Sequence, residues 1–158
     1  MAGALELLYE RLKKLEDESR SLYLAALTQQ RNFEQQLAAL DRFRGIYSSD
    51  LVNKGMSGPV SHGTYEHYTA FIGRLDNISA EQLKGLQKIK AEVATRLQAF
   101  KDAEARRKGV EMLMEKRRLE AATALAKQEQ KLSDDLSTNR FFQKSQTSIA
   151  DYYTKSLN

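Results

Sequence analysis

Few residues in this chain have types suited to chemistry. Both histidines, His62 and His67, lie in the stretch NKGMSGPVSHGTYEHY, from Asn53 to Tyr68. On a helix their spacing sets them ~140° apart, so they do not share a face. A helical zinc site needs two histidines one turn apart with a glutamate between them, or cysteines to complete the set. Neither arrangement is present, and the chain has no cysteine. The glycines of GMSGP are not followed by the lysine and hydroxyl residue that a phosphate-binding loop uses to hold phosphate and magnesium. Asp134 and Asp135 adjoin in a polar stretch, with no apolar surroundings to raise one carboxyl into the range of a general acid. The sequence therefore reads as that of a non-enzyme, with no catalytic residues, metal or cofactor.

The elements that carry these residues are helical. Ala, Leu, Glu, Lys, Arg and Gln dominate, charged residues make up 29%, and the only proline is Pro59. That is the composition of long helices, and strand-type runs of Val, Ile and Thr are missing. Lack of cysteine excludes structural disulfides and fits a reducing compartment. The opening MAGALELLYERLKK has no basic stretch followed by an apolar run, and no 18 consecutive residues are apolar. A cytoplasmic protein is expected. Net charge is +4 with the signs interspersed. The densest basic stretch, Glu104 to Arg118, contains acids of its own. It reads first as a solvated helix face, then as a surface for an acidic protein, and last as a nucleic-acid site.

A seven-residue repeat runs through both halves. Stepping alternately by three and four from Leu5 gives Leu8, Leu12, Leu15, Ser19, Leu22, Ala26, Gln29, Phe33, Gln36, Leu40, Phe43, Tyr47 and Asp50. All but Ser19, Gln29, Gln36 and Asp50 are apolar. From Tyr65 the same steps reach Tyr68, Ile72, Leu75, Ser79, Gln82, Leu86, Ile89, Val93, Arg96, Phe100, Ala103, Arg107, Val110 and Met114. Here only Ser79, Gln82, Arg96 and Arg107 break the pattern. Such periodicity predicts a coiled-coil seam.

Between the halves lies a turn. Helix one is expected from about Ala4 to Val52, helix two from about Thr64 to Leu136, and a turn over residues 53–63. Asn53, Gly55 and Gly58 offer positive-φ positions and Pro59 opposes continuation. Ser61 or Thr64 caps helix two, with Glu66 in its first turn. Residue 5 then lies beside roughly residue 111, and helix two overhangs by ~35 Å on a hairpin of ~110 Å. The repeat thins over the same overhang, to Ala121, Ala124 or Leu125, and Leu132. The fold expected for residues 1–136 is all-α: a long antiparallel two-helix coiled coil with the second helix longer. Residues 137–158 are polar and weakly periodic and are expected to be a disordered tail, with Phe141–Phe142 and Tyr152–Tyr153 as short anchors.

Near the turn the apolar surface is too wide for one seam. Helix one offers Gln36–Leu40–Phe43–Tyr47 and Phe33–Leu37–Leu40–Leu51; helix two offers Phe71–Leu75–Ile78–Gln82 beside Ile72–Leu83–Leu86. One stripe of each helix fills the seam, and the other is expected to be displayed for a partner.

The same region resembles the flagellar FliJ family. The resemblance rests on Leu40, then Phe43–Arg44, Tyr47, the turn glycines Gly55 and Gly58, and the run Tyr68, Phe71, Ile72 and Leu75. It is strongest from Gln36 to Gln82. Members of the family resemble the central stalk of a rotary ATPase and act in flagellar protein export. The resemblance implies three partners: the export ATPase hexamer, the cytoplasmic domain of the membrane export gate, and export chaperones. It implies a cytoplasmic protein held at the inner membrane through partners alone. It places gate contacts at Gln36, Leu40, Phe43, Tyr47, Phe71, Leu75, Ile78 and Gln82. Phe43 stands where tyrosine is common in the family, Ile78 where a small residue occurs and Gln82 where histidine occurs. Contacts with the ATPase ring fall at the joined ends, on Leu5, Leu8, Leu12, Met114, Lys116, Arg117, Arg118 and Leu125. Two other readings share the architecture: the equivalent stalk of a virulence-type secretion system, and an unrelated coiled-coil scaffold or nucleic-acid-associated protein.

Overall fold

The computed structural model describes residues 3–157, so Met1, Ala2 and Asn158 of the expected hairpin and tail lie outside the described residues. It consists of two helices, α1 (Ala4–Ser57) and α2 (His62–Ser156), with no strand among the described residues. The second helix is the longer, as the sequence predicts. The chain divides into two units, one ending at Lys108 and the other beginning at Gly109.

In the first unit α1 and part of α2 form an antiparallel hairpin. The turn is tighter than expected. Asn53 and Gly55 stay helical, and α1 runs on to Ser57 instead of ending at Val52. The helix stops where Gly58 takes φ 154° and ψ −176°, a region open essentially to glycine alone. Pro59 follows, with no N–H to continue the helix. Ser61 then caps α2, its Oγ accepting the Thr64 N–H at 3.1 Å. Since α2 begins at His62, its first turn holds no acidic residue. Glu66 lies one turn further on, 3.0 Å from His62 Nε2.

The register differs from a simple fold about residue 58. That fold sets Glu16 near residue 100, but Glu16 pairs with Arg107 and Tyr23 stacks on Phe100. Part of the offset comes from an apex between Ser57 and His62. The rest follows from side-chain direction. Long side chains lean toward the N-terminus of their own helix. In α1 that is away from the turn and in α2 toward it, so contacting pairs are displaced further along α2.

Helix α2 places its seam where the repeat predicts, with Leu75, Leu86 and Ile89 buried and every later member to Arg107 half-buried. Tyr65 alone faces solvent. Helix α1 does not. One of its rows, Leu5, Leu12, Ser19, Ala26, Phe33, Leu40 and Tyr47, lies in the seam as expected. The other row is turned by one residue. Tyr9, Glu16, Tyr23, Gln30 and Leu37 are buried or half-buried, whereas Leu8, Leu15, Leu22 and Phe43 are 44–54% exposed. Specific contacts accompany this choice. Glu16 is only 4% exposed and accepts from Arg107 Nε at 2.5 Å and from Arg20 at 3.2 Å. Tyr23 and Phe100 lie parallel at 6.4 Å, with the Arg20 guanidinium 5.2 Å from the Phe100 ring. The core proper is Ala26, Leu86 and Ile89, closed by Phe33, Leu37 and Val93. Gly85 allows close approach there, since a Cβ on it would stand 2.6 Å from the Phe33 ring.

The second unit is the stretch of α2 from Gly109 onward. Its helix continues through residues 137–156, where the sequence leads one to expect a disordered tail. No glycine or proline follows Gly109 to interrupt it. Thr138, Thr147 and Thr154 each donate to the carbonyl four residues back, which satisfies their hydroxyls without opening the helix. Among the described residues of this unit only Val110, Met114 and Ser145 are even half-buried.

Candidate interaction surfaces

Residues that could do chemistry remain scattered. His62 is largely exposed and meets only Glu66, and the His67 ring lies edge-on to Tyr68 at 6.2 Å. Among the described residues no cluster of histidine and carboxylate is fit to hold a metal ion. No described helix is long and apolar enough to cross a membrane. The candidate sites are therefore surfaces.

The first surface lies beside the turn. Tyr47 of α1 packs on Phe71 of α2 with ring centroids 4.4 Å apart, and on Tyr68 at 6.0 Å. This aromatic contact fixes one edge of the hairpin. Along the same edge Phe43, Ile46 and Ile78 are exposed by about half or more. Gln36 is exposed, and Leu40, Tyr47, Phe71 and Gln82 are half-buried. Leu75, at 7% exposure, serves the seam. The Gln82 side-chain oxygen is buried without a hydrogen-bond partner. A polar group in that state favours any partner that brings a donor to it. Ile46 is missing from the sequence-derived set; its position three residues after Phe43 is the signal that finds it.

The opposite edge of the hairpin is polar. Arg44 donates to Asp76 at 2.6 Å across the helices, and the carboxylate raises the guanidinium pKa further. On the aromatic edge itself, nearer the turn, Lys54 donates to the Tyr68 hydroxyl at 2.7 Å, and that hydroxyl donates to Asp50. Away from the turn, the hairpin therefore has one edge closed by an ion pair and one that displays Phe43, Ile46 and Ile78.

The second expected surface is divided between the two units. Leu5 and Leu12 are half-buried in the first unit, and Leu8 is exposed beside them. In the second unit Met114, Arg118 and Leu125 fall on one helix face by steps of four and seven. Lys116 projects from the far side of that helix. Arg118 is held by Glu115 at 2.7 Å, which lowers the Glu115 pKa. Leu125 is 57% exposed, and Lys116 and Arg117 are exposed.

No curated protein and no solved structure matches the chain. The family model for the flagellar FliJ protein matches residues 1–146, nearly the whole length. The chain therefore belongs to the flagellar FliJ family, with a role in flagellar protein export.

Proposed function

We propose that this protein is a non-catalytic stalk of the flagellar export apparatus, working in the cytoplasm and reaching the inner membrane only through its partners. On this reading the edge carrying Phe43, Tyr47, Phe71 and Ile78 docks on the cytoplasmic domain of the export gate. Gln36, Leu40 and Gln82 shape the rim of that contact. The exposed leucines and basic groups of the second unit, Leu125 with Lys116, Arg117 and Arg118, engage the export ATPase ring together with Leu5, Leu8 and Leu12. Binding there promotes assembly and hydrolysis by the ring. Export chaperones are a third class of partner.

The observation that carries the reading is the asymmetry of the hairpin near its turn. An apolar edge holding Phe43 and Ile78, both about half exposed, faces away from the edge closed by Arg44 and Asp76. A free surface of that kind marks a protein contact. ATP hydrolysis by the export ATPase of the same genome tests the ring contact, measured with the whole chain and with a chain ending before Met112. Stimulation that needs the later residues supports the proposal, and no stimulation by the whole chain removes it. Capture of the gate domain by wild type and by Tyr47→Ala with Phe71→Ala tests the gate contact. Retained helicity with lost capture is the expected result. Loss of helicity would place those rings in the core instead.

A further inference from the structure

The row of α1 excluded from the seam holds Leu8, Leu15 and Leu22, seven residues apart and 44–49% exposed. It borders a groove of about 270 Å³ floored by Leu12, Ala99 and Ala103 and rimmed by Arg106. On the outer side of the row stand Arg11 and Glu18, both exposed. Among the described residues neither has an ion-pair partner within its own chain.

We propose that a second copy of this chain covers this row, forming a symmetric antiparallel dimer centred on Leu15. The charges select this occupant. Arg11 and Glu18 lie almost equally far on either side of Leu15 and have opposite signs. A two-fold axis through Leu15 therefore brings Arg11 of each copy to Glu18 of the other. Leu8 meets Leu22 in the same way, and Leu15 meets its own mate. A two-fold contact uses the same patch twice, so each attraction occurs twice. A foreign helix would have to carry a matching acidic and basic pair at the same spacing, whereas a second copy already carries it. The row spans ~21 Å, which puts the contact near the lower limit of roughly 1,000–1,200 Å² for specific interfaces. The dimer is accordingly weak and depends on concentration. Leu8 also belongs to the surface proposed for the ATPase ring, so the dimer would hold that surface covered until a ring displaces the second copy. The dimer itself does not rest on the ring reading.

The absence of native cysteine makes the test direct, because a single introduced thiol reports only on self-pairing. Under mild oxidation Leu15→Cys should yield a disulfide-linked dimer, while Leu24→Cys, on the other side of α1, should not. In sedimentation equilibrium the wild-type chain should dimerise with rising concentration. Arg11→Glu should weaken the dimer about tenfold through its two pairs, and Arg11→Glu combined with Glu18→Arg should restore it. Circular dichroism confirms that each variant is folded. A chain that stays monomeric to about 1 mM, a dimer indifferent to Arg11→Glu, or equal cross-linking at positions 15 and 24 would overturn the proposal. None of these measurements involves the ATPase.

Discussion

Both units of this chain are helical and both carry leucines at helical spacing, but they hold those leucines differently. In the first unit Leu86 and Ile89 close on Ala26, with Phe33, Leu37 and Val93 packed around them. In the second, Leu119, Leu125, Leu132 and Leu136 are all more than half exposed. A leucine repeat therefore states a demand for a partner and not its satisfaction. Where the demand is met within the unit, the side chain stabilises the fold. Where it is not, the side chain is available to another molecule.

The largest expected effect follows from that contrast. Leu86→Ala should remove about 3 kcal/mol of stability, the transfer loss plus the cavity left between the helices. Leu125→Ala should change stability by less than about 0.5 kcal/mol, since it withdraws a side chain already in water. Urea unfolding followed by circular dichroism measures both. Equal losses would mean that the second unit buries Leu125 in solution and that the contrast is wrong.

Next comes the charge in the seam. Glu16→Ala takes away the carboxylate that receives Arg107 and Arg20 at a position only 4% exposed. Removing one partner of a buried pair is costly because the other charge keeps its desolvation, and a loss of about 2 kcal/mol is expected here. Glu115→Ala, which breaks the exposed pair with Arg118, should have a far smaller effect. Should Glu16→Ala prove neutral, the α1 seam has turned to its leucine row. Cross-linking at Leu15 would then disappear along with the exposed row.

Glycines sharpen the comparison by sign. Gly58→Ala forces a side chain into φ 154°, and a loss of about 1–2 kcal/mol should follow. Gly109→Ala, at the first residue of the second unit, meets nothing within 4 Å. There alanine should raise helix stability by up to about 1 kcal/mol. Thermal unfolding of the two variants should shift in opposite directions; a destabilising Gly109→Ala would reveal a close approach at that residue.

How much of this was legible beforehand depended on which physical choice each residue faced. Composition and repeat period leave a helix hairpin as the one architecture for this chain, and Gly58–Pro59 is a stop that no side chain can override. The α2 seam was legible because it has one apolar stripe over most of its length. The α1 seam was not, because Leu8, Leu15 and Leu22 form a more apolar row than Tyr9, Glu16 and Tyr23. The latter row enters the seam alongside contacts that lie far apart in sequence, Glu16 with Arg107 and Tyr23 with Phe100. Local pattern carries no record of such pairs. The helical course of residues 137–156 is hard to see in sequence for a different reason: weak periodicity is shared with disordered segments, although nothing there breaks a helix. Phe43 and Ile78 were found as surplus apolar residues, which is a question of counting and so is visible in sequence.

The smallest effect concerns pH, and its sign can be worked out from two exposed glutamates, one in each unit. Lys108 donates to Glu104 and holds its pKa below the ordinary carboxylate value; Arg118 does the same to Glu115. A carboxylate with a lowered folded-state pKa binds protons less readily folded than unfolded. Its contribution is complete above the ordinary carboxylate range and is lost as the pH falls through and below that range. Acidification should therefore reduce helicity slightly in both units. Both glutamates are exposed, so raised salt should abolish the change. Lys108→Gln should remove the share of the first unit, and Arg118→Gln that of the second. A salt-resistant loss that survives both substitutions would point away from these surface pairs.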